Sequence, residues 1–130
     1  MNILLVDDSR TMRSIQKKTL ETMGQVTFAE AGDGIEALSL LAATPEGFSL
    51  VLIDWNMPNM DGLTLVRKIR EKNKTMPLVM VTTEAEKQRI IDALRAGANN
   101  YILKPFTPET LLDKIKQTLD RVKATAAKAA

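Results

Sequence analysis

The strongest constraint on the fold comes from four short runs of apolar residues that do not alternate with polar ones. These runs are residues 3–6, 50–53, 78–81 and 101–103. Each has the length of a β-strand, and an unbroken apolar run of this length indicates burial on both faces, as in a parallel sheet. A fifth segment, residues 26–30, does alternate and predicts a half-exposed edge strand.

Helical patterns lie between the predicted strands. Ser9 and Asp33 are good N-caps, and Thr107 followed by proline is a typical helix start. Gly24 and Gly97 predict helix ends. Apolar positions expected on the helices are Met12, Ile15 and Met23; Ile35, Leu38 and Leu41; Leu63, Val66 and Ile69 within 63–71; Ile90, Ile91 and Leu94 within 84–96; and Leu111, Leu112, Ile115, Leu119 and Val122. Five alternations of strand and helix predict an α/β fold, a single-domain doubly wound five-stranded parallel sheet with five helices.

Length and composition limit the classes of protein to consider. The chain has 130 residues, 45% hydrophobic and 26% charged, as in one folded domain, and its net charge of +2 gives no reason to expect nucleic acid as a partner. We expect a cytoplasmic protein with no membrane partner, because the N-terminus does not resemble a signal peptide and no apolar run could span a bilayer. The domain is expected over 1–122, and the Ala/Lys-rich tail 123–130 either extends the last helix or is disordered.

The chain contains neither cysteine nor histidine. Their absence excludes disulfides, zinc–thiolate sites, thiol nucleophiles and imidazole general bases. Any chemistry must therefore use carboxylates, hydroxyls, lysines or a bound ion.

Polar side chains directly follow the four apolar runs. Asp7 and Asp8 follow the first run, Asp54 the second, Thr82 the third and Lys104 the fourth. Taken singly, each has an ordinary explanation as a helix lead-in, a strand end or a turn. Because carboxyl ends of parallel strands meet at one edge of a sheet, their combination favours a common site.

Three carboxylates at one edge repel each other unless a cation compensates them. A site with oxygen donors and without histidine or cysteine favours Mg²⁺, which keeps open positions for phosphate oxygens. Lys104 adds positive charge and Thr82 a hydroxyl donor, and Asp54 can act as the nucleophile. The pattern predicts a phosphoryl-transfer site.

Three segments carry a resemblance to a known family: residues 4–8, 54–62 and 101–106. The chain resembles response-regulator receiver domains, and among them the single-domain chemotaxis regulators. The resemblance implies a flavodoxin-like sheet with strand order 2-1-3-4-5. It also implies a cis peptide bond before Pro105.

The resemblance implies a role for each matching residue. The expected Mg²⁺ ligands are Asp7, Asp8, Asp54 and the backbone carbonyl of Asn56, and Asp54 is also the expected phosphoacceptor. Thr82 and Lys104 are expected to contact the phosphoryl group, and Thr82 and Tyr101 are the expected switch residues. The expected partner-binding face consists of Ala85, Ile90, Tyr101 and Lys114. Trp55, next to the phosphoacceptor, should report on metal and phosphate by its fluorescence. Thr83 stands where many receivers have a smaller residue and could narrow access to the phosphoryl group.

The resemblance also implies the partners. The expected phosphoryl donor is a histidine kinase of the chemotaxis type, the expected target is the flagellar motor switch protein, and a phosphatase is a further candidate. The chain is expected to be a monomer and to catalyse only its own phosphoryl transfer and dephosphorylation. Because little sequence follows the fifth helix, it is expected to be a stand-alone switch, with a receiver cut from a longer protein as the alternative.

Other functions stay open at this point. The chain could serve a non-motor pathway or act as a phosphate sink. A flavin-binding module is disfavoured, because the adjacent Asp7 and Asp8 would repel a flavin phosphate. A phosphatase with an aspartate nucleophile is disfavoured because that class has an Asp-x-Asp motif after the first strand, which this chain lacks.

Overall fold

A computed structural model describes the backbone of residues 1–129 and the side chains of residues 1–125. Five parallel strands form one sheet in the order β2-β1-β3-β4-β5, which confirms the predicted doubly wound architecture. The elements are β1 (Asn2–Val6), α1 (Arg10–Leu20), a 3₁₀ turn (Glu21–Met23), β2 (Thr27–Ala31), α2 (Gly34–Ala42), β3 (Leu50–Ile53), α3 (Gly62–Lys72), β4 (Leu78–Thr82), α4 (Lys87–Ala96), β5 (Asn100–Leu103) and α5 (Pro108–Ala129).

The sheet separates two hydrophobic cores. Strand side chains on one face pack against α2, α3 and α4, and those on the other face pack against α1 and α5. Fully buried members of the first core include Leu4, Ile53, Leu65 and Met80, and those of the second include Ile3, Leu20, Leu52 and Leu111. Strands covered on both faces explain why the apolar runs do not alternate.

The central strands β1, β3 and β4 are buried as predicted, and β2 is the half-exposed edge strand. The prediction of full burial was wrong for Leu103, which is exposed. It is the last residue of β5, and β5 forms the other edge of the sheet, so fewer neighbours cover it.

The predicted helix starts at Ser9, Asp33 and Thr107 are confirmed by side-chain oxygens that accept backbone N–H bonds of 2.8–3.1 Å. Three expected core positions, Ile15, Ile35 and Leu94, are exposed instead. On α1 the buried side is formed by Gln16, Thr19 and Leu20, so Ile15 points away from the core.

Two helix boundaries differ from the predicted ones. The first helix is shorter, because α1 ends at Leu20 and the 3₁₀ turn leads to Gly24. The fourth helix begins at Lys87 rather than near Glu84. The backbone N–H and C=O of Glu84 bond the side chains of Thr82 and Tyr101, so this residue is held outside the helix.

Helix α5 continues through Ala129, and residue 130 lies outside the described residues. Among the described helices, none combines the length and apolar character that crossing a membrane would demand.

Candidate functional site

Asp7 and Asp54 lie side by side because they follow paired strands. Val6 of β1 is in register with Ile53 of β3, so the next residue of each strand leaves the sheet at the same level. The Asp54 backbone N–H donates to the carbonyl of Val6 at 2.9 Å. One carboxylate oxygen each from Asp7, Asp8 and Asp54 lies within 4.8 Å of the others.

Lys104 reaches this carboxylate group from the end of β5. Its Nζ lies 2.7 Å from Asp7 Oδ2 and 3.4 Å from Asp54 Oδ2. Asp7 is 1% exposed and Asp54 8%, whereas Asp8 is exposed. The peptide bond from Lys104 to Pro105 is cis, as the resemblance implied. The single ammonium thus compensates the two buried carboxylates only in part, and the site is open to solvent on the side of the exposed Asp8.

Thr82 completes the cluster from the end of β4. Its side chain is fully buried, and its Oγ1 accepts the backbone N–H of Glu84 at 3.4 Å. The next residue, Thr83, is exposed. The structure therefore brings together all five polar residues that follow the apolar runs.

The pKa of Asp54 lies above its ordinary value. Burial is the largest cause, and the negative charge of Asp7 raises the pKa further. The charge of Lys104 and hydrogen bonds from Thr82 and Lys104 lower it, but only in part. Ionised Asp54 is therefore incompletely compensated, which is the electrostatic situation that an added cation relieves.

The donor set of this site fits Mg²⁺. The grouped side chains Asp7, Asp8 and Asp54 offer only oxygen atoms, and the exposed side at Asp8 leaves room for water or phosphate oxygens. Hard oxygen ligands with open positions are what Mg²⁺ prefers over softer metals.

Glu84 ties the segment after β4 to the loop after β3 and to strand β5. Asn56 Nδ2 donates to Glu84 Oε1 at 2.9 Å, and the Tyr101 hydroxyl donates to the Glu84 carbonyl at 2.6 Å. Tyr101 is 6% exposed, so its ring faces inward. Burial, with the nearby charge of Glu84, raises the pKa of Tyr101 to about 12, so its hydroxyl stays a donor at neutral pH.

Comparison with known proteins decides the family. The sequence profile of the response regulator receiver domain matches residues 3–116. The chain belongs to this family.

Several relatives of this receiver domain are chemotaxis proteins. A chemotaxis protein CheY homologue of Campylobacter jejuni is 50% identical over 121 residues, which cover 92% of each chain. A CheY-like receiver domain from Methanospirillum hungatei has a TM-score of 0.85 at 35% identity and covers 95% of this chain and 97% of that one. A CheX–CheY–BeF₃–Mg complex from Borrelia burgdorferi matches with a TM-score of 0.85 at 28% identity, covering 90% of this chain and 87% of that one. The protein is thus a CheY-like receiver domain of the two-component signalling type.

The residues expected to form the partner-binding face lie on four successive segments: Ala85 before α4, Ile90 on α4, Tyr101 on β5 and Lys114 on α5. Ala85 is exposed, Ile90 and Lys114 are half-buried, and Tyr101 is buried. Lys114 Nζ donates to the backbone carbonyl of Tyr101 at 3.1 Å, which joins α5 to β5.

Three contacts near the receiver site were not predicted from the sequence. The Arg89 guanidinium lies 5.0 Å from the ring centroid of Trp55, and Arg13 bonds both the Asp7 carbonyl and Glu30. No spacing rule links an arginine of one helix to a tryptophan in a distant loop, or to a glutamate on a separate strand. Only the packed structure reveals these pairs.

Proposed function

We propose that this receiver domain is a phosphorylation-activated chemotaxis switch. Asp54 accepts a phosphoryl group from the phosphohistidine of a chemotaxis-type kinase. The observation that carries this proposal is the convergence of Asp7, Asp8 and Asp54 with Lys104 at one edge of the sheet. The chain catalyses only its own phosphoryl transfer and dephosphorylation.

The transfer itself is a displacement at phosphorus. A carboxylate oxygen of Asp54 forms the new O–P bond, the N–P bond breaks, and its electron pair stays on the departing imidazole. In this proposal the Lys104 ammonium, 3.4 Å from Asp54 Oδ2, and the Thr82 hydroxyl bind phosphoryl oxygens. Mg²⁺ held by Asp7, Asp8, Asp54 and the Asn56 carbonyl would neutralise the negative charge gathered there.

The output of the switch passes through Thr82 and Tyr101. A phosphoryl group on Asp54 gives the Thr82 hydroxyl a new acceptor, and movement of Thr82 alters the space available beside Tyr101. Phosphorylation thereby favours one of two arrangements of α4, β5 and α5, by as much as its contacts with the two differ. The face of Ala85, Ile90, Tyr101 and Lys114 then binds the flagellar motor switch protein.

A further protein partner belongs to this proposal. The Borrelia relative forms a complex with CheX, so receivers of this kind bind proteins besides a kinase and a motor. A phosphatase that hydrolyses the phosphoryl group on Asp54 would reset the switch.

Labelling by a small phosphoryl donor tests the proposal. Acetyl phosphate with Mg²⁺ should add one phosphoryl group to the chain, because the site positions and neutralises the donor without help from a kinase. Excess chelator should abolish the reaction. Intact-mass measurement gives the yield, and undiminished labelling in chelator would refute the role of the metal.

Binding of a peptide from a flagellar motor switch protein tests the output. Phosphorylation should tighten binding to wild type. Tyr101→Phe keeps the ring but loses the bond to the Glu84 carbonyl, so the affinity of the phosphorylated protein for the peptide should fall about two- to tenfold, the range expected for one hydrogen bond. Fluorescence anisotropy at matched phosphorylation gives both affinities. Normal labelling with no peptide binding would instead assign the chain to a non-motor pathway or a phosphate sink.

A further inference from the structure

Arg13 contacts the acidic turn, which is formed by residues 7–9 between β1 and α1. This arginine lies in α1, and its side chain is only 13% exposed. One terminal guanidinium nitrogen, Nη1, donates to the backbone carbonyl of Asp7. Nε donates to Glu30 Oε1 at 3.0 Å. One guanidinium therefore joins the turn to strand β2.

The carbonyl that Arg13 holds belongs to the peptide between Asp7 and Asp8. Orientation of that peptide plane sets the direction in which both side chains leave the backbone. The Asp7 carboxylate has other partners, Lys104 Nζ at 2.7 Å and the Ser9 N–H at 2.8 Å. Within the described side chains, Asp8 has neither a hydrogen bond nor an ion pair that fixes its carboxylate. Its position thus depends on the backbone that Arg13 anchors.

Glu30 in turn fixes the orientation of Arg13. It lies on β2 in register with Leu5 of β1, next to the acidic turn. Lys17, one helical turn after Arg13, also contacts it, with Nζ 3.3 Å from Oε2. Burial alone would raise the pKa of Glu30, but hydrogen bonds from Arg13 and Lys17 hold the pKa below its ordinary value. Glu30 is therefore an anion at neutral pH.

We propose that Arg13 is a positioning residue of the divalent-cation site, which orients the Asp7–Asp8 peptide so that Asp8 faces the same ion as Asp7 and Asp54. The inference rests on the proposed function, since it concerns the same metal. A lysine cannot replace Arg13, because a single ammonium lacks the planar, rigidly spaced donors that reach the carbonyl and Glu30 together.

Mg²⁺ titration of the unphosphorylated protein, followed by Trp55 emission, tests the role of Arg13. Arg13→Lys preserves the net charge, so a change in affinity reports geometry rather than Coulombic attraction. We expect Mg²⁺ to bind about tenfold more weakly to this variant, as found when residues that orient metal ligands are replaced. The matched control is Lys17→Gln. Lys17 lies on the same helix and contacts the same Glu30, but it does not contact Asp7. It should bind Mg²⁺ within about twofold of wild type.

Glu30→Gln is the second variant. This variant keeps Arg13 but weakens the hydrogen bond between Arg13 and residue 30, so Mg²⁺ binding should weaken by less than in Arg13→Lys. Thermal unfolding in chelator checks that each variant is folded. Wild-type affinity in Arg13→Lys, or an equal loss in Lys17→Gln, would overturn the inference. A wild-type protein that binds no Mg²⁺ would instead overturn the proposed function, so the two failures are distinguishable.

Discussion

The variant Asp54→Asn should take up no phosphoryl group from acetyl phosphate or from a phosphorylated kinase. An amide is a far weaker nucleophile than a carboxylate, and Asp54, 3.4 Å from Lys104, is the phosphoacceptor in the proposed function. Intact mass and radiolabelling would measure the loss. Asp61→Asn is a suitable control, because Asp61 is an exposed cap of α3 and asparagine caps equally well. Undiminished labelling of Asp54→Asn would place the nucleophile elsewhere.

The same substitution should raise the thermal stability of the protein in chelator. The pKa of Asp54 is raised on folding, so protonation of this group favours the folded state and ionisation opposes it. The destabilisation by ionised Asp54 is absent at a pH well below the pKa of this group in the unfolded chain. It is complete once the pH exceeds the pKa of Asp54 in the folded protein. Asparagine removes it, while Lys104 keeps its partner Asp7. The melting temperature of Asp54→Asn should therefore exceed that of wild type at neutral pH and approach it in acid.

A second large effect is expected for Gly62→Ala, at the start of α3. An added Cβ would lie 2.1 Å from the carbonyl oxygen of Asp54 and 2.9 Å from the Cα of Trp55. Both are backbone atoms, so no side-chain rotation relieves the overlap, and α3 or the end of β3 must shift. Overpacking of this kind costs about 1–3 kcal/mol or more. Denaturant unfolding would measure that loss, and the rate of labelling should fall because Asp54 moves.

Gly32→Ala is the matched control for this substitution. The nearest atom to its added Cβ is Glu36 Oε2 at 3.6 Å, an ordinary contact with a flexible side chain. Its free energy of unfolding should change by less than about 1 kcal/mol. Equal stability of Gly62→Ala and wild type would show that the close approach of α3 to Asp54 is not maintained in solution.

The sheet and the convergence of the site could be predicted from sequence because both depend on local patterns. Unbroken apolar runs give strands covered on both faces, and parallel strands necessarily present their next residues at one edge. This rule alone was enough to predict that Asp7, Asp54 and Lys104 converge. The caps Ser9 and Asp33 were also predictable, since capping depends on nearby residues in the chain.

Features that depend on packing between distant segments could not be predicted in this way. Periodicity placed Ile15 and Leu94 on apolar stripes, but how each helix rotates against the sheet decides which edge of a stripe is covered. The bonds of Arg13 to Glu30 and Asp7 depend on the spacing between α1 and β2. The delayed start of α4 depends on Tyr101, far along the chain.

Convergence on Glu84 has a consequence for how sharply the molecule responds. Three separate segments supply its partners: Thr82 at the end of β4 accepts its N–H, Tyr101 within β5 donates to its carbonyl, and Asn56 in the loop after β3 donates to its carboxylate. Because all three bonds are made by one residue, we expect that loss of one bond weakens the other two and disfavours intermediate positions. Residues 83–86 should therefore adopt one of two discrete conformations. Each molecule should respond in an all-or-none manner, and only the fraction of molecules that respond should vary gradually.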